Sequence, residues 1–571
     1  MTLVDEPEPV HWNPVKACLL ILSLTTHYIC ELLFIVGSGV YARDIAEVVG
    51  GAEISSWCIS AVTILTAAFA PPIAQAADFW GRKWLLVVPT FLGFIGSIVV
   101  ATAQSMQVAI IGFAIGGASF GAQPLVHAVA SEILPRKHRS YAQSTVNSSI
   151  GVGAIIALTV GSALTNNNPA GFRTYWYLCA GLYVFSSVAM ALLYNPAPRE
   201  LQLTMTFGEK IRALDWIGFL LFNAGLVTFC VGLSYSQNPF PWTNAHVLAP
   251  FLTGVVILAT LVLYEVKFKK DGLFHHGLFQ HRNFPIAVTA VAIEGLVFVA
   301  ASNYYPFEMA TVLAGRISSF RVAVCFAIAF VALFAIANVV GAYIHRTKTV
   351  RGPAMASFVG FIIFGAVSAN IKSSTPEAHF WGFVIFYGIG LGICLITLLT
   401  MAQLATPPEL ISITSGLMAS MRSFGGAVGV AIQLAIFNSG LNSNLVPQVT
   451  AAVEPLGLNA TSIGPLIAAL GTENRTLIQA VPGVNQEIIE AAETARTDAF
   501  VIGFRDVWIS VAAFAAFGIF ICYFVKNPKA EFNSSIDAPL EGTARVRELE
   551  KPRVSIRDSD TSPADMGAAL E

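Results

Sequence analysis

The sequence predicts an all-α integral membrane protein of fourteen transmembrane helices, and three observations carry that prediction. Of its 571 residues 55% are hydrophobic and only 12% charged, about half the roughly 25% usual in a soluble domain. The charges collect in short clusters such as Arg136 to Arg139 and Lys267 to Asp271. Between the clusters lie apolar runs of about 20 residues, the length a helix needs to cross roughly 30 Å of hydrocarbon. In lipid only helices and closed barrels satisfy every backbone hydrogen bond, and these runs are too long for barrel strands. Mean hydropathy is accordingly +0.68.

The apolar runs place the spans at 15–38, 54–76, 84–104, 106–129, 141–164, 175–194, 214–235, 247–267, 285–307, 320–343, 353–371, 379–402, 411–437 and 505–525. An even number puts both termini on one side. With that side inside, the inner segments hold 23 of the 32 Lys and Arg and the outer loops 8, while Arg422 lies within a span. Short loops alone give 15 against 5. The positive-inside rule therefore makes both termini cytosolic.

Three stretches fall outside the spans. Residues 195–213 form an inner linker that separates two bundles, 15–194 and 285–525, with a helix pair at 214–267 and a cytosolic loop at 268–284 between them. Residues 438–504 form a long outer loop whose apolar patch Ile463 to Leu470 suggests helices packed on the bundle's outer face. Its sequons, Asn459-Ala460-Thr461 and Asn474-Arg475-Thr476, are glycosylation candidates. The charged, apolar-poor residues 526–571 read as a disordered cytosolic tail, and 1–14 as a short cytosolic N-terminus without a cleavable signal.

Composition also excludes. A net charge of −2 offers nothing to nucleic acid. The eight cysteines stand singly on apolar segments, the pattern of small hydrophobes rather than of a disulfide framework. His275, His276 and His281 form one short cluster, too few ligands for a membrane di-iron centre, so no metal is expected. No Gly-x-x-x-x-Gly-Lys loop cradles a nucleotide phosphate, and no cofactor is expected; a proton gradient would supply the energy.

The loop between spans 2 and 3 reads Ala74-Gln75-Ala76-Ala77-Asp78-Phe79-Trp80-Gly81-Arg82-Lys83. It resembles the signature loop of the major facilitator superfamily at Asp78, Gly81, Arg82 and Lys83, and departs from it at Ala74 and Phe79. A carboxylate and two cations at a tight inner turn can pair with each other and with a helix end, locking one conformation. Ser131 to Arg139, Gly171 to Trp176, Asp215-Trp216-Ile217-Gly218 and Met421 to Gly429 extend the resemblance over residues 15–525. Together they resemble the fourteen-span drug:proton antiporter branch, and within it the fungal trichothecene-efflux-pump-like and siderophore-transporter group. The resemblance implies a 6 + 2 + 6 arrangement, with spans 7 and 8 inserted between two halves of inverted three-helix repeats. Two family patterns are missing. Gly112 to Gly116 in span 4 has no arginine, and the span-5 register Gly153 to Ser162 has no central Gly-Pro, the motif associated with export.

Charges at bilayer depth cost about 2.5–3.5 kcal/mol on insertion scales and mark functional candidates. Glu31 in span 1, with His27 one turn earlier on the same face, and Glu294 in span 9 are the proton-coupling candidates. Gln123, His127, Asn147, Asn303, Arg422 and Gln433 are the cavity candidates; the competing readings are a solvated histidine near the inner end for His127, bonding between helices for Asn147, Asn303 and Gln433, and pairing with a carboxylate or helix end, in a structural or gating role, for Arg422. The expected function is secondary active transport, a proton-coupled efflux of a small hydrophobic or amphipathic metabolite by a monomer of the plasma membrane, with a vacuolar or vesicular membrane as the alternative. A siderophore–iron importer of the same fold and a non-transporting sensor remain alternatives.

Overall fold

A computed structural model describes residues 14–533 apart from 56, 166–167, 197–199, 236–239, 270–271, 408–409 and 472–474. The expected N-terminal segment up to residue 13 and the tail beyond 533 lie outside the described residues. Thirteen described helices are long and apolar enough to cross a membrane. Span 2, Trp57–Trp80, is a further apolar helix of 24 residues, about 36 Å long at 1.5 Å per residue. The observed spans follow the expected ones: Pro14–Val40, Trp57–Trp80, Arg82–Thr102, Met106–Glu132, Arg139–Thr165, Phe172–Leu193, Trp216–Ser234, Ala245–Lys267, Asn283–Val312, Ser319–Thr347, Arg351–Ser368, Glu377–Leu404, Ile411–Val453 and Gln486–Cys522.

The two halves use the same helix pairings. Span 1 packs on spans 5 and 6, span 3 on spans 4 and 6, and span 2 on span 4. Displaced by eight, span 9 packs on spans 13 and 14, span 11 on spans 12 and 14, and span 10 on span 12. The halves meet where span 5 lies against span 10 and span 2 against span 13. The inserted spans 7 and 8 pack chiefly on each other, and span 7 also touches spans 2 and 13.

Two spans are not continuous α-helix. Span 4 tightens to a 3-10 stretch at Ala118–Ala122, just after Gly116-Gly117, before its inner part Gln123–Glu132. Span 5 widens to a π turn at Ala157–Gly161, in the register where the export motif's Gly-Pro is missing. Such single π turns free a backbone carbonyl, and the Ala157 carbonyl here accepts the Tyr41 hydroxyl from the outer end of span 1.

Segment 438–504 holds helices, as its apolar patch suggests, but differs from the expected loop in their length and packing. Spans 13 and 14 run on as helices of 43 and 37 residues, with helices Ala460–Gly471 and Arg475–Gln479 between them. Val449, Val453, Leu466, Leu470, Ile488 and Ala492 close into a hydrophobic core of their own. The segment thus packs on itself as a helical cap. Hydropathy had ended span 13 at the polar Asn438-Ser439 step, because it measures bilayer depth and not helix length. The first residues of the tail expected to be disordered from 526 on also differ from that reading, since Lys526 and Asn533 bond to the bundle.

Candidate functional site

Glu294 and Arg422 each lie eleven residues from the start of their helices, spans 9 and 13, which is about 16 Å or half the hydrocarbon thickness. Spans 9 and 13 approach closely at this depth: a Cβ on Gly295 would run into the Arg422 carbonyl, and one on Gly425 into that of Ala292. Small residues are what permit such an approach. The Arg422 guanidinium grips the Glu294 carboxylate bidentately, Nε to Oε2 at 2.8 Å and Nη2 to Oε1 at 3.1 Å. Glu294 is buried, while Arg422 keeps 22% of its side chain exposed and stacks 4.6 Å over the Phe298 ring. A bidentate pair holds geometry as well as charge.

From the other half, Tyr28 of span 1 meets the Gln123 side chain and lies within electrostatic reach of Arg422. Its ring stands edge-on to His127 at 5.2 Å. Four of the expected residues therefore surround one point between the halves: Arg422, Glu294, Gln123 and His127. The pair at Glu31 lies beyond Tyr28 and does not reach it. His27 Nε2 is 3.0 Å from Glu31 Oε1, and both residues are fully buried inside the first half. The Thr90 hydroxyl donates to the Leu86 carbonyl at 2.6 Å, so His27 Nδ1, 3.1 Å away, must be the donor to Thr90.

Below the midplane a buried polar network joins the halves. His127 Nδ1 lies 2.9 Å from Gln143 Oε1, and the Gln143 amide donates to Gln403 Oε1 at 3.1 Å. Ser131 also donates to Gln403 Oε1, at 2.6 Å. The Gln403 amide reaches Ser415 at 3.1 Å, and Arg139 Nη1 donates to the Gln403 carbonyl at 3.0 Å. Spans 4 and 5 are thereby tied to spans 12 and 13 at the end of the bundle that carries the signature loop. Gln143 and Gln403 do not stand out in the sequence, because a glutamine near the end of a span looks like ordinary interfacial polarity.

The signature loop turns sharply between spans 2 and 3. Gly81 has φ +84°, a left-handed turn that glycine takes without strain. The turn sets Asp78 and Arg82 in contact at 3.6 Å. Arg82 also pairs with Glu132 at the end of span 4, tying two inner loops together, and Lys83 donates to Asn195 at 2.5 Å. A second carboxylate pair fixes the inserted helices: buried Asp215 and Glu265 both accept from the Leu273 amide, at 3.2 and 3.1 Å. The Asp215 amide in turn donates to Gln75 of span 2 at 3.0 Å.

The remaining candidates lie elsewhere. Asn147 donates to the Gln143 carbonyl of its own helix at 2.8 Å, a local bond that needs no cavity. Gln433 accepts from Ser510 at 2.9 Å, inside the second half, and Asn303 is exposed on the outer part of span 9. Asn459 is exposed and accepts the Thr461 amide at 3.3 Å, while Asn474 lies outside the described residues. His275, His276 and His281 bond the Gly277 amide, the Glu265 carbonyl and the Asn283 amide. A buried acid in span 9, Glu308, was also missed; it accepts from the Trp508 indole at 2.8 Å. It sits one residue past the expected end of its span, where a charge is unremarkable.

A family model described as Major Facilitator Superfamily matches residues 28–430. The MFS-type transporter gkaD of Penicillium citrinum is 24% identical over 488 residues, covering 85% of this chain and 80% of that protein. The MFS-type efflux transporter ffsH of Aspergillus flavipes is 25% identical over 482 residues, covering 84% and 81%. Among solved structures, the proton:xylose symporter XylE matches 93% of this chain and 100% of its own with a TM-score of 0.53 at 12% identity, a likeness of fold alone. The signature loop at Asp78 to Lys83, the paired six-helix halves and the extent of these matches converge: this chain belongs to the major facilitator superfamily, as a multi-pass membrane transporter whose relatives include fungal efflux transporters.

Proposed function

We propose that this transporter exports a small hydrophobic or amphipathic metabolite across the plasma membrane in exchange for protons, acting as a monomer with both termini cytosolic. The observation that carries the reading is the Arg422–Glu294 pair, held at half depth between the halves with Arg422 partly open. The efflux named for relatives such as ffsH supports the direction.

The chemistry follows from the charges. While Glu294 is ionised, it neutralises Arg422 and the inner network can stay closed. A proton arriving from outside on Glu294 removes that neutralisation and leaves a mostly buried cation without its counterion, a state costing about 3 kcal/mol. Rearrangement of the halves relieves it and opens the site inward. There the proton leaves, the pair re-forms, and the return movement carries cargo outward. Binding near the bilayer midplane with the halves rocking around it is how such folds alternate access.

The test begins with metabolite profiling of cells and medium from a strain lacking the gene. The compound retained in cells is then offered to proteoliposomes under an imposed pH gradient. Wild-type protein should accumulate it against its gradient, and Glu294→Gln should keep cargo-for-cargo exchange while losing that accumulation. Unaltered gradient-driven accumulation by the Glu294→Gln protein would refute the assignment. Uptake of a ferric chelate in its place would turn the reading to import.

A further inference from the structure

The chain does not leave the bundle after span 14. Its next residues are anchored to the second half. The Arg351 guanidinium lies 4.5 Å over the Tyr523 ring, and Arg282 donates to the Phe524 carbonyl. Asn283 and Lys526 exchange two hydrogen bonds, Nδ2 to carbonyl at 2.7 Å and amide to Oδ1 at 3.0 Å. Asn527 Oδ1 accepts the amides of Val350 and Arg351, both at 3.0 Å. It thereby caps span 11 from far along the chain, satisfying donors that a helix start leaves free.

A few residues later the same strand of chain reaches the first half. The Asn533 carbonyl accepts the Lys137 amide at 2.8 Å, Glu531 pairs with Arg136 at 3.0 Å, and Phe532 is buried between. Arg136 and Lys137 lie in the loop joining spans 4 and 5. The Lys137 peptide is in fact held on both faces by the second half, since its carbonyl accepts from His345 Nδ1 of span 10 at 2.6 Å. The His345 ring stacks on that of His138 at 4.9 Å. Residues 523–533 thus cross the seam that the buried glutamine network closes from above.

We propose that Tyr523–Asn533 is a latch on the inner gate, which must release Arg136 and Lys137 each time the inner end opens. The inference rests on the transport reading only in taking the halves to move. Opening the seam between spans 4–5 and spans 10–12 separates the Lys137 amide from the Asn533 carbonyl, because one belongs to each half. The latch adds one backbone hydrogen bond and one half-exposed ion pair to the closed state. Each contributes modestly, and together they bias the gate by about tenfold.

The test reads the gate without needing the cargo. Ser412 is fully buried at the inner start of span 13 and its hydroxyl has no partner, so Ser412→Cys reports gate opening by its rate of alkylation. The exposed Cys18 is replaced first, and an impermeant maleimide is applied from the face bearing the loop between spans 4 and 5. Removing residues 530–571 keeps the Asn527 cap and should speed labelling about tenfold; Arg136→Glu should do the same in part, and adding Glu531→Arg should reverse it. A cleavable crosslink between Arg136→Cys and Glu531→Cys should suppress labelling and halt transport until reduced. Equal labelling rates in truncated and full-length protein would overturn the latch, as would undiminished transport by the crosslinked form. If no cargo is found, the labelling still decides the latch. If labelling is unchanged while cargo moves, the latch alone falls.

Discussion

Gln143 of span 5 and Gln403 of span 12 meet amide to carbonyl at 3.1 Å across the boundary between the halves, both fully buried. Each amide also serves its own half, so neither can be removed without stranding partners. Gln403→Leu leaves the Ser131 hydroxyl and the Gln143 amide short of an acceptor. The expected cost is about 2 kcal/mol, read as a lower unfolding temperature in detergent, with Gln403→Glu restoring part of it. An unchanged melting curve for Gln403→Leu would mean the network does not hold the inner end.

The Arg422–Glu294 pair separates stability from coupling. Removing one partner, as in Glu294→Leu, should destabilise by about 3 kcal/mol, since it strands a buried charge, whereas an apolar pair such as Arg422→Met with Glu294→Leu should recover most of that loss. The double variant is expected to fold well and still fail to accumulate cargo against a gradient. Thermal unfolding beside proteoliposome transport checks both halves of the statement.

Glu31 gives the opposite pattern. Its carboxyl faces His27 inside the first half, away from Arg422. Glu31→Gln keeps a hydrogen-bonding group against His27, and transport by this variant should retain its dependence on the pH gradient. Glu31→Ala, which leaves the buried His27 without that partner, should cost about 2 kcal/mol of stability. Loss of gradient dependence in Glu31→Gln would move proton coupling to span 1.

Gly425 is a steric test of the crossing that carries the ion pair. A Cβ there would run into the Ala292 carbonyl, and backbone cannot rotate away as a side chain can. Gly425→Ala should therefore cost about 2 kcal/mol through overpacking. Gly464, which has open space around it, is the control and should tolerate alanine unchanged by the same unfolding measurement.

What the sequence made legible follows physical signal strength. Twenty apolar residues in lipid leave the chain little choice but a helix, so the spans could be placed from composition, and Asp78 to Lys83 could be recognised because a short turn fixes their relations locally. The Arg422–Glu294 contact joins residues 128 positions apart; each was legible as costly in lipid, and neither announced its partner. Gln143, Gln403 and Glu308 were illegible for a different reason. They stand near helix ends, where water or headgroups would excuse their polarity, and only packing shows them buried. The helices of segment 438–504 were legible from the patch Ile463 to Leu470, but not that spans 13 and 14 run on into it, because hydropathy falls silent once a helix emerges from the bilayer.

The docking of span 7 against both span 2 and span 13 has a consequence for how greasy molecules get in. A cleft lined by Gln75, Phe219, Leu273 and Leu417 marks where this third body covers the join, so that flank offers no sideways doorway from the lipid. On the opposite flank spans 5 and 10 pack directly on each other, and the described residues of the inserted pair lie chiefly against each other and against spans 2 and 13. A cargo dissolved in the bilayer is expected to enter there, and a lipid-borne photoreactive probe should mark Phe334 of span 10, which lies exposed beside Gly151 of span 5, in preference to residues of spans 2 and 13. Labelling favouring the inserted pair's flank would show the shutter to be open.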